Sequence, residues 1–127
     1  MIFLILFFAL IAPFALYPIE IFFPYPHIAE ELTKALLIFL LLRSTSSAQK
    51  IYGAFLVGFL FGLTENFLYL FSPGTLQSHL LRFALTMPLH IITTIAILIP
   101  ALVNKRLIFL GIIIAILIHY IFNIAVV

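Results

Sequence analysis

HIAEELTKALLIFLLL, residues 27–42, sets two adjacent glutamates, Glu30 and Glu31, at the head of an apolar run, with Lys34 one turn further on. On a water-facing helix such a trio is ordinary. This chain offers no such surface: 66% of its 127 residues are hydrophobic and 8% are charged, and its mean hydropathy is +1.38. Soluble domains carry about 25% charged residues, and apolar runs near 20 residues match the thickness of a bilayer. The composition therefore predicts an all-α, polytopic membrane protein, one compact bundle filling residues 1–127.

Working outward from that stretch, polar breaks divide the chain into five expected spans. MIFLILFFALIAPFALY (1–17) lacks the basic n-region and cleavage site of a signal peptide, and reads as a retained first helix. Pro18, Pro24 and Pro26 end it, and Pro26 opens a second helix over about 28–42. RSTSSAQK (43–50) is a loop, followed by a helix over 51–71. SPGTLQSH (72–79) is the next turn, and a fourth helix runs over 80–103, with Pro88 expected to kink it. After NKR (104–106) a fifth helix fills 107–127.

Charge orients the bundle. Arg43 and Lys50 flank one loop and Lys105 and Arg106 form another, so the positive-inside rule places both in the cytoplasm, with the N-terminus. The small basic excess offers no surface for nucleic acid. There is no cysteine, which excludes disulfide and thiolate chemistry.

An ionisable group inside a span costs roughly 2.5–3.5 kcal/mol on insertion scales and marks a functional site by default. Helix rise puts Glu31 about 5 Å, Glu65 about 10 Å, His119 about 12 Å and His90 about 15 Å below the outer face. Four helices thus bring titratable groups to similar depth. Helical phase agrees: Glu30 and Lys34 can pair one turn apart. Gly58, Gly62, Glu65 and Tyr69 share a face; Arg82, Thr86, His90 and Thr94 form a stripe; and His119 and Asn123 are one turn apart. Gly58 and Gly62 read first as packing residues, Arg82 as a headgroup contact or a substrate ligand. Thr86, Thr93 and Thr94 read as partners of helix carbonyls. Glu20, His27 and His79 are expected in solvated loops.

The same residues resemble the motifs of the PrsW family of intramembrane proteases, distant relatives of the CAAX prenyl proteases. The resemblance lies in EELTK (30–34), GFLFGLTEN (58–66), RFALTMPLH (82–90) and HYIFN (119–123), in family order. Glu65 stands where the CAAX enzymes typically have a histidine, which favours the PrsW branch. The resemblance implies hydrolysis of a membrane-anchored protein on the extracytoplasmic side, anti-sigma factors being the family's substrates.

Amide hydrolysis needs an activated water, a stabilised oxyanion and a protonated amine. Glu31 or Glu30 is the expected general base. His90 and His119 would orient water or donate to the oxyanion, with Asn66 and Asn123 as neutral donors and Lys34 neutralising one glutamate. Glu65, His90 and His119 would make a His₂Glu zinc set. The lack of an HExxH-like pair on one helix favours a metal-free route; a single zinc ion stays open. The rivals are a proton or ion pathway and a non-catalytic scaffold or immunity-type protein. The apolar inner halves of the second, third and fifth helices speak against a pathway.

Overall fold

A computed structural model describes residues 1–43 and 46–126; residues 44, 45 and 127, which fall in the expected 43–50 loop and at the end of the expected fifth span, lie outside it. Five helices account for nearly all of the described chain. They are α1 (Ile2–Phe22), α2 (Pro26–Leu41), α3 (Ser47–Tyr69), α4 (Leu76–Val103) and α5 (Ile108–Val126), with a 3₁₀ turn, Lys105–Leu107, before the last. Local chemistry sets their starts. Pro26 occupies the first turn of α2. The Ser46 and Thr75 hydroxyls accept from the amides of Gln49 and Ser78, capping α3 and α4.

The first helix runs further than expected, through Pro13 and Pro18 to Phe22. Each proline removes one helical hydrogen bond. Leaving the helix inside a bilayer would strand more backbone groups than that. A neighbour also helps: the Thr64 hydroxyl donates to the Leu10 carbonyl at 2.8 Å, close to the carbonyl that Pro13 leaves free. Helices α3 and α4 likewise begin four residues earlier than the apolar pattern suggested, because their capping serines and threonines lie inside the polar stretches.

Helices α1, α3 and α4, and α5 with its 3₁₀ turn, are each long and apolar enough to cross a membrane. The protein is an integral membrane protein. Helix α2 has 16 residues, about 24 Å of helix, and it touches all four others. Around it α1 packs on α3, α3 on α4 and α4 on α5, while α1 and α5 do not touch. Leu32, Leu36 and Phe39 form an exposed apolar stripe on α2, so its charged face is turned inward.

Two glycines set the helix spacing. A Cβ at Gly58 would meet the His90 carbonyl oxygen at 2.6 Å and Ile91 Cα at 2.7 Å. One at Gly111 would meet Ile97 Cα and O at 2.7 Å. Backbones therefore approach as closely as small residues permit, and α4 is gripped from both sides. The interior divides lengthwise. One half is apolar, built around Ile38, Leu41, Val57, Ile97, Leu98 and Ala115. The other half holds the polar residues.

Candidate active site

The polar half gathers the C-terminal ends of α1, α3 and α5 and the N-terminal ends of α2 and α4. A cavity of about 460 Å³ opens there, lined by Glu20, Glu30, Glu65, Arg82, His119 and Asn123 among others. Its volume falls within the range of about 300–1,000 Å³ usual for ligand pockets.

Successive residues on a helix point about 100° apart, so Glu30 and Glu31 serve different neighbours. Glu31 is fully buried and is not among the residues lining the cavity. Its Oε1 accepts from Lys34 Nζ at 2.7 Å and pairs with His119 Nδ1 at 2.7 Å. Of the two glutamates that Lys34 could neutralise, it pairs with Glu31, three residues back, and not with Glu30, four back. The Lys34 ammonium also donates to Thr93 Oγ1 at 3.0 Å and lies 5.0 Å from the centre of the Phe61 ring.

Glu30 faces the cavity, with its Oε2 3.7 Å from His119 Nε2. Glu65 Oε2 lies against His90 Nε2. Apart from that Glu65–His90 contact, Glu30 Oε2, Glu31 Oε2, Glu65 Oε2 and both His90 ring nitrogens are buried without a hydrogen-bond partner. Buried polar groups are rarely left so. One ligand atom from each of Glu30, Glu65 and His90 lies within 4.8 Å of the others. Two carboxylates and an imidazole, converging and with no hydrogen-bond partner outside the group for these atoms, suit a divalent cation such as zinc. The His₂Glu set expected from sequence differs in one member: Glu30 stands in this group where His119 was placed. The His119 ring sits beside it, 5.5 Å from that of His90.

The remaining candidates separate. Asn123 lines the cavity. Arg82 stands at its rim with Cζ 3.2 Å from the centre of the Tyr69 ring. Asn66 does not line it; its amide donates back to the Gly62 carbonyl of its own helix at 2.7 Å. Three residues expected in loops are elsewhere. Glu20 lies within α1, half-buried, and lines the cavity, because α1 persists past Pro18. His27 is 6% exposed, its ring 5.8 Å from that of His119, because α2 begins at Pro26. His79 lies on the first turn of α4 rather than in a loop, and it also lines the cavity. The bond from Lys34 to Thr93 carries no signature in the sequence, since it joins residues 59 positions apart.

Compared with known proteins, the chain matches the PrsW family, described as intramembrane metalloproteases, over residues 4–127. No curated protein and no solved structure matches it.

Proposed function

Since this chain belongs to the PrsW family of intramembrane metalloproteases, a peptidase family, we propose that it cuts a peptide bond of a membrane-anchored protein in this cavity, with His119 as general base. The observation that carries the assignment is the Glu31–His119 pair. Glu31 Oε1 holds His119 Nδ1 at 2.7 Å, which fixes the proton on Nδ1 and leaves the Nε2 lone pair towards the cavity. A buried carboxylate in that position also stabilises the imidazolium that forms.

In the proposed reaction Nε2 takes a proton from water as its oxygen adds to the scissile carbonyl carbon. The C–N bond then breaks, and the proton passes from Nε2 to the leaving amine. The Asn123 side-chain amide, on the cavity wall, donates to the developing oxyanion. Glu30, Glu65 and His90 would hold the cation, which when bound polarises the carbonyl and acidifies water. A second reading, favoured by the unpartnered Glu30 Oε2 in the cavity wall, makes Glu30 the base and leaves His119 to orient water.

Arg43, Lys50, Lys105 and Arg106 lie at the ends of helices remote from the cavity. The positive-inside rule puts that end, and the N-terminus, in the cytoplasm. The cavity then faces outward, and the cut falls at or just beyond the outer boundary of the substrate's anchor. An anti-sigma-factor-like protein is the substrate the family resemblance implies. The test is cleavage of a series of membrane-anchored peptides by purified protein, with His90→Ala as the blank. Fragments ending near the outer boundary are expected; no cleavage of any peptide by folded wild-type protein overturns the proposal.

A further inference from the structure

We infer that Thr93 is a positioning residue for the reaction, holding His119 in its working tautomer through Lys34 and Glu31. The inference rests on the role proposed for His119. It joins three helices in one buried chain of contacts. Thr93 Oγ1 on α4 accepts from Lys34 Nζ on α2 at 3.0 Å, Lys34 Nζ donates to Glu31 Oε1 at 2.7 Å, and Glu31 Oε1 meets His119 Nδ1 on α5 at 2.7 Å. All four residues are 0–4% exposed.

The donor count of the ammonium shows why the hydroxyl matters. Lysine has three N–H bonds and no acceptor. Glu31, Thr93 and the face of Phe61 surround it, one neighbour for each N–H. The Thr93 hydroxyl also has a fixed polarity, because its own proton goes to the His90 carbonyl at 3.3 Å, leaving its lone pairs for Lys34.

Backbone satisfaction alone does not account for Thr93. The same carbonyl already receives the Thr94 hydroxyl at 2.6 Å, so it stays bonded if Thr93 loses its oxygen. Without that oxygen the ammonium keeps one strong partner on a four-carbon stem. It swings about Glu31 Oε1, the atom His119 needs, and the imidazole loses its orientation. Removing such outer partners typically lowers activity about 10–100-fold.

The test compares Thr93→Val, Thr93→Ala and Thr93→Ser with Thr94→Val as the control. Imidazole ¹H–¹⁵N spectra of the purified protein in detergent, at one pH, report the Nδ1–H of His119, assigned by its loss in His119→Ala. This readout needs no turnover. It therefore decides the positioning role even if wild-type protein cleaves no peptide, the result that would sink the proposed function instead.

A sharp Nδ1–H signal is expected in wild type, Thr93→Ser and Thr94→Val, and a broadened or lost one in Thr93→Val and Thr93→Ala. In the cleavage assay kcat should fall about 10–100-fold in Thr93→Val with KM within about twofold, and Thr93→Ser should restore it. An unchanged His119 signal with full kcat in Thr93→Val overturns the inference. So does a protein that folds as Thr94→Val and Thr93→Ser but as neither Thr93→Val nor Thr93→Ala, since the hydroxyl would then serve folding alone.

Discussion

Glu31 Oε1 stands 2.7 Å from His119 Nδ1 across the α2–α5 contact, a carboxylate that takes no place on the cavity wall and acts on it through a histidine. Glu31→Gln should therefore lower turnover by roughly 10²–10⁴, the range for loss of general-base function. Bound metal should be retained, because Glu31 lies outside the group that could hold it. Kinetics and metal content, measured on the same sample, check the pair of outcomes.

Metal content separates the two readings of the base. Purified protein should carry about one equivalent of a divalent ion, removable by chelator with loss of activity. Glu30→Gln, Glu65→Gln and His90→Ala should lose both ion and activity, whereas His119→Ala should lose activity and keep the ion. Retention of metal by inactive Glu30→Gln would transfer the base to Glu30. Elemental analysis after detergent exchange reads all four.

Gly58 is the tightest point between α3 and α4. Gly58→Ala sets a methyl group against the His90 carbonyl and Ile91 Cα, backbone atoms 2.6 and 2.7 Å from it. The cost should be about 1–3 kcal/mol, as for overpacked cores, and activity should drop because His90 moves with its backbone. The three atoms nearest a Gly62→Ala methyl belong to the Met87 and His90 side chains, 3.1–3.3 Å away, and that change should be milder. Unfolding in a denaturing detergent titration ranks the two.

Lys34→Met strips the buried Glu31 carboxylate of its ion-pair partner. A loss of about 3–5 kcal/mol is expected from breaking one side of a buried pair. Adding Glu31→Gln should recover part of it, because the uncompensated charge is then gone. The same detergent titration gives both values.

Sidedness is open to direct labelling, since the chain has no cysteine. With single cysteines at Ser46 and Ser78, an impermeant thiol reagent on intact cells should label position 78 and spare position 46. The reverse pattern would invert the topology and move the predicted cut to the cytoplasmic side.

Much of this architecture was legible in residue types and depth alone. Helix rise brought Glu31, Glu65, His90 and His119 to similar levels, and the structure joins them, with Glu30, into one cluster. The division of labour between Glu30 and Glu31 was not legible. Adjacent residues differ by about 100° in direction, so which of them meets Lys34 depends on where Thr93 and His119 stand on other helices. Glu20 was misplaced because Pro18 reads as a break, whereas a bilayer favours continuing the helix. Asn66, expected as a neutral donor at the site, turns its amide back to the Gly62 carbonyl instead.

The charged helix α2 is short, central and in contact with every other helix. During synthesis it emerges before Thr93, His90 and His119 exist. Alone in lipid it would carry Glu30, Glu31 and Lys34 unsheltered, at a cost that insertion scales put at roughly 2.5–3.5 kcal/mol for each charge at mid-depth. Its stable seating must therefore wait for α4 and α5. A nascent chain lacking α5 also lacks His119, so the proposed hydrolytic activity cannot switch on before α5 is seated. An intermediate without α5 cannot cut its neighbours in the membrane.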